Sequence, residues 1–226
     1  MRTVIASDWH LGTFSTPMAA ELARLFLERA RAVGDRVILN GDIFEGLFQP
    51  VQEAEAAHPV VQGIITEMTA NGQLVRIAGN HDPEAGSLML VLDHPGLGRV
   101  LIAHGHAADP LHRSSLGQFG DAISRRMGRA AIVRNAARFA EFAANRLAGV
   151  AMERTFRARC RSMIQREGCV LGIFGHIHRR YCAPGDRYAN AGHLAYGRLE
   201  YLVLADGGAR LAYLEPDESL ARPRWV

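Results

Sequence analysis

Short apolar runs rich in β-branched residues recur along the chain and limit its fold more than any other feature. Between the first two runs, residues 17–33 have the apolar spacing of an amphipathic helix, and a second helix is predicted over residues 58–70. Strands that alternate with helices predict an α/β sandwich. The predicted strands cover residues 3–6, 36–39, 74–78, 100–103 and 170–174, followed by shorter ones at 187–191, 200–205 and 210–214.

Residues 111–167 differ from the rest of the chain, because this stretch has no proline and is rich in Ala and Arg. Its apolar spacing predicts two to four helices inserted between two strands, so residues 1–110 and 168–226 would form the core. Every basic residue of the chain is Arg, and 12 of them lie between Arg113 and Arg166 among only three acids. This basic segment indicates an anionic partner such as phosphate, nucleic acid or a lipid surface, unless it is only a solvated helical surface.

Several classes of protein are disfavoured by what the sequence lacks. Without Lys, a Schiff-base or P-loop mechanism is excluded. The three cysteines have no ligand-like spacing, which favours a reducing compartment over a disulfide framework. Neither a signal peptide nor an apolar stretch of about 18 residues is found, so a cytoplasmic location is expected.

Each of the five main strands ends on Asp, Asn or His, usually beside a Gly. Because the carboxyl ends of strands in α/β sheets form a ligand crevice, these side chains should meet in one pocket. Carboxylate, amide and imidazole groups without Cys suit Mn²⁺, Fe²⁺ or Zn²⁺. The donors are too many for one ion and favour two ions about 3.5–4 Å apart with a bridging carboxylate. The residues are Asp8, His10, Asp42, Asn80, His81, Asp82, His104, His176 and His178, whereas His58, His94 and His112 are interpreted as surface or hydrogen-bonded residues.

The ordered set Asp8-x-His10, Gly41-Asp42, Gly79-Asn80-His81-Asp82, His104 and Gly175-His176-x-His178 resembles the calcineurin-like metallophosphoesterase superfamily. This resemblance implies a double β-sheet sandwich flanked by helices (αββα) with two divalent ions, Mn²⁺ first and Fe or Zn as alternatives. By motif, the first ion would take Asp8, His10, Asp42 and His178. The second would take Asp42, Asn80, His104 and His176, so that Asp42 bridges.

The same resemblance assigns catalytic roles around the two ions. The nucleophile would be a hydroxide shared by both ions. His81 would contact the phosphate or protonate the leaving oxygen, with Asp82 as its orienting partner. Glu45 stands where the motif usually has a second Asp.

Within the superfamily, the chain is most similar to the UDP-2,3-diacylglucosamine pyrophosphatases. The tetrad from Asp42 to Glu45, the compact size and a helical insertion after His104 carry this similarity, although His81 and His106 differ from the residues usual in that group. It implies that residues 111–167 form a cap over a lipid-linked nucleotide, which is hydrolysed to UMP and a lipid monophosphate at the inner membrane face. The implied substrate contacts are Asn80, His81, Arg125, Arg126, Arg129 and His193.

Two other functions stay open from the sequence. The enzyme could act on a soluble nucleotide, a cyclic dinucleotide or nucleic acid, although the Arg-rich segment lacks the interleaved aromatic residues of a single-strand platform. Alternatively, the fold could serve as a non-catalytic scaffold whose insertion binds a partner. The complete ligand set argues against the scaffold, and the sequence indicates no obligate protein partner.

Overall fold

Two β-sheets with helices on their outer faces form the molecule. The computed structural model describes residues 2–110, 112, 114, 120, 122, 124, 126, 151–195, 197–205, 208–216 and 224–225. In chain order the elements are β1 (Thr3–Ala6), α1 (Pro17–Ala32), β2 (Arg36–Asn40), α2 (Val51–Ala57), α3 (Pro59–Ala70), β3 (Leu74–Ile77), β4 (Met89–His94), β5 (Gly98–Ala103), a 3₁₀ turn (His106–Ala108), β6 (Leu171–Phe174), β7 (Tyr181–Cys182), β8 (Tyr188–Asn190), β9 (Leu194–Ala195), β10 (Arg198–Ala205), β11 (Gly208–Leu214) and β12 (Arg224–Trp225).

Each of the two sheets contains parallel strands, whose carboxyl ends lie together at one edge of that sheet. The first sheet has the order β12–β11–β10–β1–β2–β3, with β9 beside β10. Its strands β1, β2 and β3 are parallel, and β10 pairs antiparallel with β1. The second sheet has the order β4–β5–β6–β8–β7, in which β5, β6 and β8 are parallel. The loops after β1, β2, β3, β5 and β6 carry the polar residues predicted from the sequence.

Alternation of side chains along the strands explains why these apolar runs are buried on both faces. In β1, Val4 and Ala6 pack into the cluster beneath α1 and α3, whereas Ile5 points into the cluster between the two sheets. In β5, Ile102 faces the same space between the sheets, and Leu101 packs in a third cluster on the outer face of the second sheet. The core therefore consists of three apolar layers separated by two sheets.

The end of the predicted insertion packs on the core. Residues 151–166 are helical, and Phe156, Cys160 and Ile164 are buried against the outer face of the second sheet. The guanidinium carbon of Arg157 lies 3.8 Å from the centre of the Tyr181 ring, which adds a cation–π contact at the same interface. This helix, at the end of the segment predicted as an insertion, therefore flanks the second sheet.

The predicted fold class is confirmed, since the described chain is a two-sheet α/β sandwich with flanking helices. The predicted strands and the two predicted helices are all present, and their ends differ by at most two residues. Five elements were not predicted from the sequence, namely α2, β4, β7, β9 and β12. Among the described residues, no helix combines the length and the apolar character needed to cross a bilayer.

Candidate metal centre

All seven side chains predicted to bind metal meet at the carboxyl ends of the strands. Each has a donor atom within 4.0 Å of a donor atom of another member, although they come from five separate loops. Asp8 and His104 are fully buried and Asp42 nearly so, while the remaining members are partly exposed. The set is Asp8 and His10 after β1, Asp42 after β2, Asn80 after β3, His104 after β5, and His176 and His178 after β6.

One group of donors surrounds the side chain of His178. Its Nε2 lies 3.0 Å from His10 Nε2 and 3.3 Å from Asp8 Oδ1. His10 Nε2 is 3.9 Å from Asp8 Oδ1 and also 3.9 Å from Asp42 Oδ2. These are the residues that the resemblance assigned to the first ion.

A second group of donors surrounds the side chain of Asn80. Its Oδ1 lies 3.2 Å from His104 Nε2 and 3.1 Å from His176 Nδ1. His104 Nε2 is also 3.1 Å from Asp42 Oδ2, so the same carboxylate oxygen faces both groups. The other oxygen, Oδ1 of Asp42, accepts a hydrogen bond of 2.8 Å from the backbone N–H of His81. If two ions were bound, Asp42 would be the residue that both groups share, while its Oδ1 is held by the backbone.

The donor chemistry of this pocket fits divalent cations. His104 Nδ1 lies 2.9 Å from the carbonyl oxygen of Asn40, which can only accept, so Nδ1 carries a proton. Nε2 faces two oxygen acceptors, so this nitrogen needs a positive charge beside it, which either a proton or a metal ion supplies. Two ligands each about 2.1 Å from one ion lie roughly 3.0–3.4 Å apart at octahedral or tetrahedral angles, close to the spacing found here.

Electrostatics also reflect the excess of negative charge in the pocket. Burial lowers the pKa of His104, but the carboxylates of Asp42 and Asp8 outweigh burial and raise this pKa to about 9. Burial raises the pKa of Asp42, yet the surrounding imidazoles hold it well below its usual range. The pocket therefore favours positive charge at the positions that ions would take.

Five of the seven candidate ligands have a strained backbone. Among the described residues other than Gly, positive φ angles occur only at Asp8 (57°), His10 (48°), Asp42 (55°), His176 (70°) and His178 (52°). Asp, Asn and His are enriched in this left-handed region, but each such residue still costs on the order of 1–3 kcal/mol. The strain is concentrated at the candidate metal ligands, as expected where function fixes the geometry.

Glycines next to the ligands allow the loops to approach each other closely. A Cβ on Gly79 would collide with the backbone nitrogen and Oδ1 of Asp42. A Cβ on Gly175 would lie 2.5 Å from Asp8 Oδ2, and one on Gly41 would lie 2.6 Å from the His104 ring. These three motif glycines are therefore required by contact with the candidate ligands.

The carboxylate that faces His81 is Glu45, which corrects the expectation that Asp82 orients this ring. Glu45 Oε1 lies 2.8 Å from His81 Nδ1. The oxygens of Asp82 instead accept hydrogen bonds from the backbone N–H groups of Asp42 (2.8 Å), Ile43 (2.9 Å) and Gly79 (3.0 Å). Buried N–H groups of two tight loops need an acceptor, and Asp82 provides it. Asp82 thus joins the loops after β2 and β3.

Further polar side chains that the motifs did not indicate line the pocket. The His112 ring lies 6.0 Å from the His176 ring and 5.4 Å from the His106 ring, so His112 is closer to the site than expected. Burial and the neighbouring His104 lower the pKa of His106 to about 4. Asp109 Oδ2 lies 2.8 Å from His176 Nε2, and no sequence motif contains this residue.

The predicted substrate contacts are only partly within the described residues. The His193 ring stacks on His178 with 5.2 Å between the ring centres and 7° between the planes, which places it beside the first group. Arg126 is described and exposed. Arg125 and Arg129 lie outside the described residues.

Comparisons with known proteins support the fold. No protein-family model matches the sequence, and no curated protein matches it. Among solved structures, Vps29 from Entamoeba histolytica complexed with Zn²⁺ has a TM-score of 0.53 at 12% identity, covering 100% of this chain and 98% of that one. A dimetal phosphatase from Danio rerio has a TM-score of 0.50 at 10% identity, covering 96% and 93%. The chain therefore shares the double-sheet fold of these two proteins.

Proposed function

We propose that this chain is a metal-dependent phosphoesterase that hydrolyses the pyrophosphate of UDP-2,3-diacylglucosamine, or of a similar nucleotide-linked lipid, to UMP and a lipid monophosphate. The observation that carries the proposal is the pair of donor groups that share Asp42 Oδ2. Two divalent ions there, for which we propose Mn²⁺, would activate water and offset charge on the phosphoryl oxygens. Sharing a fold with a dimetal phosphatase supports the same reaction class.

His81 is the side chain best placed to act on the substrate without binding an ion. Its Nε2 lies 3.8 Å from Asp42 Oδ2, so this nitrogen faces the centre of the pocket. Its Nδ1 faces Glu45, whose carboxylate accepts the Nδ1 proton and orients the ring. In the proposed reaction His81 donates a hydrogen bond to the phosphate and then a proton to the leaving oxygen.

The Arg-rich segment supports an anionic, lipid-linked substrate. Arg154, Arg159 and Arg166 are exposed on the helix over residues 151–166. Together with Arg125, Arg126 and Arg129, they would meet the diphosphate or anionic headgroups at the inner membrane face. A cytoplasmic enzyme that contacts the membrane peripherally would have such a segment.

The test combines metal analysis with two substrates. The purified protein is loaded with Mn²⁺ and assayed with bis-p-nitrophenyl phosphate and with UDP-2,3-diacylglucosamine in mixed detergent micelles. We expect two ions per chain, release of UMP and a preference for the lipid substrate. Asp42→Ala should lose both ions and all activity, whereas Asp93→Ala, which changes an exposed acid on β4, should behave like wild type.

The outcomes separate the proposal from its alternatives. Hydrolysis of soluble nucleotides or nucleic acid without turnover of the lipid would refute the proposed lipid substrate. It would still support the proposed reaction class, metal-dependent hydrolysis of a phosphoric ester or anhydride. Absence of turnover with both ions bound would indicate a non-catalytic scaffold. An active Asp42→Ala variant would refute the bridging role.

A further inference from the structure

The side chain of His176 is held at both ring nitrogens. Asp109 Oδ2 lies 2.8 Å from Nε2, and Asn80 Oδ1 lies 3.1 Å from Nδ1. A carboxylate that meets a neutral ring at this distance accepts the Nε2 proton. The lone pair of His176 then sits on Nδ1, which faces the second donor group.

The backbone and packing of His176 leave its ring little freedom. Its backbone N–H donates to both oxygens of Asp8, at 3.1 and 3.0 Å. The centre of the Phe156 ring, on the helix at the end of the predicted insertion, lies 6.1 Å from the centre of the imidazole. Asp109 lies just before that insertion, directly after the 3₁₀ turn. The segment that precedes the insertion and the helix at its end therefore both lie beside this ring.

His104 provides the comparison within the same group. Its remote nitrogen, Nδ1, is held by the carbonyl oxygen of Asn40 at 2.9 Å, which is a backbone atom in β2. At His176 the corresponding partner is the Asp109 side chain. A partner of this kind fixes the tautomer and the orientation of a metal-binding imidazole, and a carboxylate also raises its basicity.

We infer that Asp109 is a positioning residue that orients His176 for the second ion and thereby sets the affinity of that ion. This inference rests on the proposed two-ion site. Residues in such a role typically change metal affinity by about 10–100-fold when they are replaced. Since Asp109 adjoins the insertion, it would also link the second ion to the segment proposed to cover the substrate.

The experiment measures binding of Mn²⁺ alone by calorimetry and of Co²⁺ by its visible absorption. Asp109→Ala should retain the first ion with unchanged affinity and bind the second about 10–100-fold more weakly. Asp109→Asn keeps an oxygen acceptor for Nε2. Its affinity for the second ion should therefore lie between the affinities of Asp109→Ala and wild type. Asp93→Ala serves as the matched control and should bind both ions as wild type does.

A double-mutant cycle separates positioning from direct binding. In a His176→Ala background, measured at higher Mn²⁺ concentration, Asp109→Ala should have no further effect on the second ion. An equal loss in that background would show that Asp109 binds the ion itself and would overturn the inference. Unchanged affinity in Asp109→Ala alone would also overturn it. Wild-type protein that binds fewer than two ions would instead refute the two-ion site and this inference with it.

Discussion

Residue 178 offers a direct test of the strain in the candidate ligands. His178 has a φ angle of 52°, whereas the neighbouring Ile177 is not among the residues with positive φ. At positive φ a Cβ crowds the following carbonyl, and Gly avoids this contact. In metal-free protein we therefore expect His178→Gly to be more stable than His178→Ala, by about 1 kcal/mol. Both variants remove the imidazole, so their difference reports the backbone alone.

The same pair of substitutions at Ile177 is the matched control. At an ordinary φ angle Gly is less stable than Ala by about 0.5–1 kcal/mol, so the sign of the difference should invert between adjacent residues. Thermal unfolding in EDTA resolves this, because 1 kcal/mol shifts the Tm of a chain of this size by about 2–4 °C. A His178→Ala variant as stable as His178→Gly would refute the strain and with it the argument that function fixes this geometry.

Two further predictions concern Gly79 and His81. Gly79→Ala should lose both ions and about 1–3 kcal/mol of stability because its Cβ collides with Asp42, whereas Gly63→Ala, at an open position in α3, should gain about 0.5–1 kcal/mol. Equal effects of these two substitutions in thermal unfolding would contradict the close-packing argument. His81→Ala should keep both ions in metal analysis while the rate falls by about 10²–10⁴-fold, and loss of an ion would instead show that His81 is a ligand.

Four of the strands that position the site, β1, β2, β5 and β6, were predictable because they are largely buried on both faces. Such strands need apolar residues at every position, and the run ends abruptly where the chain enters the polar pocket. Strand β4 lacks this signature, because it lies at the edge of the second sheet and five of its six residues are partly buried or exposed. The sequence signal for this strand is the apolar run from Leu88 to Leu92. Helix α2 is a separate helix because Pro59 begins the next one.

Side-chain partners were harder to predict than the positions of the motifs. Asp82 is adjacent to His81 in the sequence, yet its carboxylate is taken by backbone N–H groups that no motif reveals. Glu45 reaches His81 from 36 residues away, because the loops after β2 and β3 lie side by side. Asp109 carries no motif at all. Such pairings depend on how loops pack, and the periodicity of one segment does not contain that information.

The middle residue in two of the motifs explains how neighbouring ligands can face one pocket. Trp9 lies between Asp8 and His10 and is buried in the core cluster beneath α1. Ile177 separates two ligands in the same way and packs against the outer cluster of the second sheet. With positive φ angles on both sides, the backbone turns so that the middle side chain packs in an apolar cluster while its neighbours contribute donor atoms to the candidate metal centre. The positive φ angles and the packing of the middle residue therefore act together, because the apolar contacts of Trp9 and Ile177 help to hold loop conformations that are unfavourable for the ligands themselves.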